Sequence, residues 1–388
     1  MKKLLVFLLA FILPLCISAE VLSRQDAQKL ASDFLANKGV DVSKEMKMAY
    51  KAKHRKAPVG DNASYYIFNN GANKGFVIVA GDDNVEPILG YSTTGTFDEN
   101  NIPANMKVWL EGYEEQIALA SESKTANGQM LYASIEKEAL APLVSATWGQ
   151  GAPYNNQCPV VGSSANPSVT GCVATAMAQI MYYHKWPETS TAIPAYSINY
   201  TNIGLVTFDA LEATTFDWNN MLPGYNGSES AEEQAAVAEL MKYCGYGVKM
   251  GYSASSSGAY SSDCVDAFKS YFGYDSQVRE VTRNDVSVAE WDNMIYNELS
   301  NGRPVYYSAS NAFGIGHAFV CDGYEDGLFH INWGWDGMSD GYFRLQALNP
   351  SAQGIGGSSS SAGYSRAQSV IIGIQPQLVM RQELLLTD

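Results

Sequence analysis

The chain has 388 residues, of which 46% are hydrophobic and 17% are charged, and its formal net charge is −15. This length exceeds one typical domain and predicts about two, with ample apolar material for a core. The acidic balance argues against nucleic acid and against an anionic membrane surface as partners, because both repel a negatively charged protein.

The N-terminus has the pattern of a secretory signal peptide. Two lysines precede an apolar run over residues 4–15, and the small residue Ala19 follows it. We predict a signal peptide over residues 1–19, and therefore a secreted, periplasmic or cell-surface protein. Two alternatives remain, a membrane span and a lipidated N-terminus. The apolar run is short for a membrane span of about 20 residues. Cys16 is a candidate lipidation site, although Leu15 is large for the residue that precedes one.

Residues 20–125 are predicted to form a small α+β unit. Apolar residues at helical spacing predict a helix near 27–35 and a second one over 102–120. Between them, short apolar runs predict strands at 64–68, 75–80 and 88–91, with a turn at 81–84. The polar residues 121–129 predict a linker, which in a secreted precursor is a candidate cleavage region.

Residues 126–375 form the second predicted region, which begins with helices and loops and ends with strands separated by glycine-rich turns. Within it, residues 351–365 have the composition of a mobile loop. Residues 376–388 are predicted to be a C-terminal tail.

Five cysteines remain once the signal peptide is excluded. An odd number in an exported protein requires at least one thiol that is free or paired between chains. The chain has no CxxC or HExxH sequence, and its four histidines lack the spacing of metal ligands. We therefore predict no metal and no cofactor.

Cys172 is the first candidate for chemistry. Apolar residues follow Gly171 at helical spacing, and Thr170 is the predicted N-cap. Cys172 then lies in the first helical turn, where the helix dipole favours a thiolate and lowers the pKa of the thiol. A buried cysteine that only packs is equally consistent with this segment, because cysteine is often buried.

A thiol nucleophile needs a general base, and four histidines compete for that role. His184 follows Cys172 by twelve residues on the same predicted helix, which places it about 18 Å away. His54 belongs to the N-terminal region. Of the remaining two, His317 is preferred because glycines precede it and leave space, whereas His330 lies inside a predicted strand over 328–333.

The base in turn needs an orienting group. Residues 318–323 and 328–333 are predicted to form a hairpin joined by residues 324–327. That register places His317 opposite Gly334 or, after a small shift, opposite Asn332. The Asn332 amide or a backbone carbonyl of this stretch can then hold the imidazole in the productive tautomer.

Acyl transfer also needs stabilisation of an oxyanion. The backbone N–H of Cys172 can supply one donor, and the Gln150 side chain, in a glycine-flanked loop, is the candidate for the second. The order Gln, Cys, His, Asn along the chain is that of papain-type enzymes.

The sequence resembles the streptopain family of bacterial secreted cysteine peptidases, a distant branch of the papain-like fold. The resemblance rests on residues 75–92, 148–151, 170–184, 316–324 and 330–345. It implies an α+β, papain-like catalytic domain with a helical part and an antiparallel sheet part. It also implies that residues 20–125 are an inhibitory pro-domain, and that residues 351–365 form a flexible loop beside the substrate cleft.

The resemblance assigns Cys172 as nucleophile, His317 as base and Gln150 as the oxyanion-hole amide. It assigns Asn332 and Trp333 to the positioning of His317, with the tryptophan at least as important as the asparagine. It further implies a hydrophobic substrate residue just before the one at the scissile bond. Residues 307–311 and 354–363 are candidates for the substrate pocket.

We therefore predict a secreted cysteine endopeptidase made as a zymogen, acting on proteins or peptides through an acyl-enzyme. Its own pro-domain is the predicted intramolecular inhibitor. One alternative is another Cys-His hydrolase, such as a cell-wall amidopeptidase, although no cell-wall-binding module is visible. The other is an inactive peptidase-like binding protein, against which the complete Gln-Cys-His-Asn set argues.

Overall fold

The computed structural model describes residues 22–53, 63–83, 85–122, 137–310, 316–345 and 368–377. The helices in these residues are α1 Arg24–Asn37, α2 Ala104–Glu122, α3 Cys172–His184, α4 Ala231–Gly247, α5 Ser261–Ser270 and α6 Val288–Ser300. The strands are β1 Lys47–Lys53, β2 Ala63–Asn69, β3 Phe76–Ala80, β4 Ile88–Ser92, β5 Tyr196–Tyr200, β6 Gly204–Phe208, β7 Arg279–Thr282, β8 Val305–Ser310, β9 Gly316–Glu325, β10 Leu328–Asn332, β11 Gly341–Phe343 and β12 Ser369–Ile372. No helix among them is long and apolar enough to span a bilayer.

The N-terminal region is a four-stranded antiparallel sheet between two helices. Helix α1 covers one face of β2 and β3, and α2 covers the other, so these strands are buried almost throughout. Strands that are buried on both faces have continuous apolar sequences, and this pattern made them predictable. Both helices and β2–β4 are confirmed, while β1 was not predicted. Of the predicted linker, Ser121 and Glu122 belong to α2, and residues 123–129 lie outside the described ranges.

This sheet continues into the sheet of the second region. The strand order is β1-β2-β3-β4-β11-β10-β9-β8-β12-β7, and β4 joins β11 through the pairs Tyr91–Tyr342 and Gly90–Phe343. Glycine is needed at this joint, because a Cβ at Gly341 would lie 2.4 Å from the carbonyl oxygen of Tyr91. The two regions also share one hydrophobic core beneath α2.

The second region has the predicted helical part and sheet part. Helices α3, α4 and α5 form one core, which packs against one face of β8 and β9, and α6 packs on the other face. The α+β, papain-like fold class is confirmed. In the predicted tail, Pro376 lies opposite Tyr274 and the Gln377 N–H donates to Gly273 O at 3.1 Å, so these two residues are attached to the second region.

Candidate active site

Helix α3 begins at Cys172, as predicted, but its N-cap is Gly171 rather than Thr170. The Thr170 hydroxyl pairs instead with Thr175 Oγ1 at 2.8 Å. Gly171 has φ 83°, and a Cβ there would lie 2.8 Å from Met250 Cε, so the position requires glycine. The first N–H groups of the helix therefore have no side-chain cap, and they lie at the end that carries the thiol.

The thiol of Cys172 receives a hydrogen bond from the strand that carries His317. The backbone N–H of Ala318 donates to Cys172 Sγ across 3.4 Å. Burial raises the pKa of the Cys172 thiol, while the backbone N–H groups of Ala318 and Val173 act in the opposite direction. In the full-length chain the balance therefore favours the thiol over the thiolate.

His317 is the second residue of β9 and lies opposite Ala309 of β8. Its neighbour along the strand is Ala318, whose N–H donates to Cys172 Sγ, so the backbone directly after His317 contacts the thiol. Burial lowers the pKa of the His317 imidazole. Both shifts favour neutral thiol and neutral imidazole over the ion pair that an active thiol peptidase needs.

The other described histidines serve other partners. His184 Nδ1 lies 3.2 Å from the Tyr274 hydroxyl, and burial lowers the pKa of His184 to about 4. His330 Nδ1 lies 2.6 Å from Asp322 Oδ1. Burial by itself would lower the pKa of His330, but the hydrogen bond and charge of Asp322 raise it overall. His54 lies outside the described residues.

The predicted hairpin register is wrong. Strand β9 extends to Glu325, and the turn contains only Asp326 and Gly327, both with positive φ (50° and 81°). Such a two-residue turn matches the twist of the strands. A bulge in β9, where Asp322 has no partner in the register, then places Asn332 opposite Val320, three residues from the position of His317.

Asn332 is buried at the end of β10. In the described part of the chain its amide bonds to backbone rather than to the imidazole: Nδ2 donates to Ala146 O at 2.6 Å, and Oδ1 accepts from Gly334 N at 3.0 Å. These bonds fix the turn that follows Trp333. Trp333 is fully buried, and its ring packs 5.0 Å from that of Phe319 in β9.

The Trp333 turn depends on the carboxyl group of Asp340, a half-buried residue. The Trp333 backbone N–H donates to Asp340 Oδ1 at 2.8 Å, and its indole N–H donates to Ser339 O at 3.0 Å. Burial raises the pKa of Asp340 to about 7, against the opposing effect of the Trp333 N–H. The sequence-based reasoning missed Asp340, although an aspartate within a glycine-rich turn was a signal available to it.

Gln150 lies next to the start of α3. Its carbonyl oxygen accepts a hydrogen bond from the Thr170 N–H at 3.1 Å, two residues before Cys172. The preceding loop is anchored by Trp148, which is fully buried and donates its indole N–H to Leu222 O at 2.8 Å. The backbone thus brings Gln150 to the same end of α3 as the thiol.

The N-terminal region reaches this site through Asn105, near the start of α2. Its side-chain Nδ2 donates to the backbone oxygens of Trp333 and, at 3.4 Å, of Ala318. One turn later, the Trp109 ring packs 5.7 Å from Phe319 and 6.1 Å from Trp333. Sequence reasoning missed Asn105, because an asparagine at a helix start ordinarily reads as a cap.

All five described cysteines are free thiols, and Cys172 is the half-buried one while the other four are buried. No group of histidines, cysteines and carboxylates in the described residues has the arrangement of a metal site. The predicted mobile loop at 351–365 and the pocket candidate at 354–363 lie outside the described residues. Tyr307 of the other pocket candidate is buried, 5.5 Å from the Trp109 ring.

Comparison with protein families agrees with this geometry. The model of the Peptidase C10 family matches residues 148–343, a range that contains Gln150, Cys172, His317, Asn332 and Trp333. The chain belongs to the Peptidase C10 family. A second model, the Spi protease inhibitor, matches residues 19–117, a range that holds Asn105 and most of α2.

Individual C10 relatives support the same conclusion. Streptopain of Streptococcus pyogenes is 40% identical over 332 residues, which are 81% of each chain. The Porphyromonas gingivalis "Thiol protease/hemagglutinin PrtT" is 34% identical over 387 residues, covering 95% of this chain and 43% of that protein. The structure of a Prevotella intermedia prointerpain A fragment has a TM-score of 0.68 at 31% identity, covering 86% of this chain and all of the fragment. Active interpain A of the same organism has a TM-score of 0.51 at 34% identity, over 61% of this chain and 95% of that one.

This C10 peptidase is therefore a cysteine endopeptidase synthesised with an inhibitory pro-domain, as the sequence predicted. The relatives are proteases, so the cell-wall amidopeptidase and the inactive binding protein are not favoured.

Proposed function

We propose that Cys172 is the nucleophile and His317 the general base of this peptidase. The observation that carries the assignment is the hydrogen bond from Ala318 N–H to Cys172 Sγ, which joins the first residue of α3 to the strand segment containing His317. The helix start supplies the electrostatic setting that a thiolate needs once water or substrate reaches the site.

In the proposed reaction His317 takes the proton of the Cys172 thiol, and the resulting thiolate attacks the peptide carbonyl carbon. The backbone N–H of Cys172 and the Gln150 amide stabilise the oxyanion that forms. His317 then protonates the leaving amine, and water hydrolyses the resulting thioester with His317 as base. Asn332 and Trp333 maintain the turn behind β9 and so position His317, Asn332 through its backbone contacts and Trp333 through its packing on Phe319.

The proposed maturation releases residues 20–125 by cleavage in the segment between Glu122 and Lys137. The inhibitor match ends at residue 117, and the backbone of Leu140 already pairs with Tyr324 of β9. A cut in this segment leaves the folded elements on both sides whole. The catalytic domain is then 126–375, with 376–388 as a tail, although Pro376 and Gln377 attach to it.

We further propose export through a signal peptide over residues 1–19, since the inhibitor match begins at residue 19. The proposed substrates are proteins or peptides, with a hydrophobic residue before the one at the scissile bond. A pro-domain that places Trp109 against Tyr307 and Trp333 is consistent with an apolar surface near the site.

The test is a time course of the purified precursor under reducing conditions, beside Cys172→Ala and the control Cys158→Ala. The wild type and the control should lose a fragment of the size of the pro-domain and then digest casein, while Cys172→Ala stays intact. Processing of Cys172→Ala at the wild-type rate, in the absence of another protease, would refute the assignment of the nucleophile.

A further inference from the structure

In the turn after Trp335, the carboxylate of Asp336 lies against the loop that carries Gln150. Asp336 and Gly337 both have positive φ, at 53° and 74°. A Cβ added to Gly149 would lie 2.4 Å from Asp336 Oδ2 and 2.7 Å from Oδ1, so the carboxylate lies directly against the Gly149 backbone. An aspartate in a left-handed conformation is strained, and such strain persists where neighbouring contacts hold the residue.

Tyr154 completes this contact. Burial and the neighbouring Asp336 carboxylate both raise the pKa of its hydroxyl. The Tyr154 side chain is 2% exposed, and its ring lies 6.3 Å from that of Trp148, so the phenol is itself fixed. Asp336, although exposed, thus contacts the Gly149 backbone immediately before Gln150, with Tyr154 beside it.

The two loops also touch at other points. A Cβ on Gly337 would lie 3.3 Å from Thr147 Cβ, and one on Gly334 would lie 3.9 Å from Trp148 O. On the far side, the bond from Thr170 N–H to Gln150 O leads to Cys172. Asp336 thus lies where the turn that follows Trp333 meets the loop over 147–150.

We propose that Asp336 is a positioning residue that holds the backbone of 148–150 so that the Gln150 amide faces the oxyanion formed at Cys172. The inference rests on the proposed role of Gln150. An oxyanion donor acts only when it lies about 2.7–3.1 Å from the developing charge, so a small loop displacement weakens it.

The experiment compares Asp336→Ala, Asp336→Asn and Gln150→Ala with Asp266→Asn, a control at an exposed aspartate of α5. Each precursor is matured with a trace of tagged wild-type enzyme, which is then removed. Three quantities are measured: kcat and KM on a fluorogenic peptide, inhibition by a peptide aldehyde, and the alkylation rate of Cys172 by iodoacetamide. The aldehyde adduct contains an oxyanion, whereas alkylation displaces iodide and forms none.

Asp336→Ala should lower kcat and weaken aldehyde inhibition together by roughly tenfold, with KM and the alkylation rate unchanged. Asp336→Asn, which keeps the size and shape of the side chain against Gly149, should retain most of both. Gln150→Ala should show the same pattern with a larger loss.

Three results would overturn the inference. The first is an Asp336→Ala enzyme that matches Asp266→Asn in kcat and aldehyde inhibition. The second is an alkylation rate that falls in step with kcat, because Asp336 would then act on the thiol or the fold. The third is a Gln150→Ala enzyme with unchanged kcat and aldehyde inhibition. In that case the proposed role of Gln150 is wrong as well. A loss of activity in Cys172→Ala would still support Cys172 as the nucleophile.

Discussion

Substitution of Asn105 tests how the pro-domain restrains the catalytic domain. The side chain is 1% exposed, and its amide donates to the backbone oxygens of Trp333 and Ala318, on either side of the site. Asn105→Ala removes the donor and leaves these acceptors unpaired, which costs about 2 kcal/mol when they stay buried. That energy favours the open precursor by roughly 30-fold.

The assay is the rate of Cys172 alkylation by iodoacetamide in the intact precursor, followed by peptide mass before any processing is detected. If opening is rapid, the alkylation rate follows the open population and rises by the same factor. Asn105→Asp provides an isosteric test, since a carboxylate cannot donate to the two carbonyls and should open the precursor at least as much. Asn101→Ala, at an exposed pro-domain position, is the control.

Equal alkylation rates for Asn105→Ala, Asn101→Ala and the parent would refute this account of inhibition. A general loss of pro-domain structure is distinguished by urea denaturation, in which the unfolding transition of the Asn105 variants should keep its slope.

Two further predictions concern charges near the same sheet. Because burial raises the Asp340 pKa from 3.8 to about 7, the folded state favours the protonated form, and the resulting stability is present below pH 4 and lost as pH rises through 7. In a Cys172→Ala background, Asp340→Asn should therefore gain about 1 to 4 kcal/mol of unfolding free energy relative to its parent between pH 4 and 8. If urea titrations show that the unfolding free energies of the variant and its parent change in parallel with pH, the prediction is contradicted. Lys38 Nζ lies 3.0 Å from Glu325 Oε1 and 2.7 Å from Asp326 Oδ2, so Lys38→Ala should weaken attachment of the pro-domain by about 1 kcal/mol and speed its release roughly fivefold. The faster release should become smaller in 1 M NaCl, and the control Lys44→Ala should not show it. A release rate of Lys38→Ala that does not depend on salt would argue against the ion pairs.

The apolar elements were predictable, whereas the register of the hairpin was not. Strand β1 was missed because Lys47–Lys53 contains three lysines and pairs on one side only, with β2, so little burial marks it. The Asp326-Gly327 pair is itself a strong turn signal that favours a two-residue hairpin, and it was available in the sequence. The bulge next to His330 leaves no trace in the residue pattern. The two-residue turn shifts the register away from the prediction, and the bulge reverses part of that shift, so Asn332 lies opposite Val320.

In the candidate site, too, some residues were predictable from the sequence and others were not. Cys172 follows from helical spacing and the need for a thiolate, and His317 from elimination among four histidines. Asn105 and Asp336 act through backbone contacts with residues 187 to 228 positions away in the chain. No local pattern encodes contacts of that kind, because they depend on how two regions pack rather than on the propensity of either.

The shared sheet makes maturation hard to reverse. Once the pro-domain leaves, the catalytic domain exposes β11, an edge of only three residues beside the acidic Glu325 and Asp326. A short edge next to negative charge resists pairing with another molecule, so the mature enzyme should remain monodisperse. The departing fragment exposes β4, whose five residues are all buried in the precursor. We expect the fragment rather than the enzyme to aggregate or be digested, which removes the inhibitor from the equilibrium.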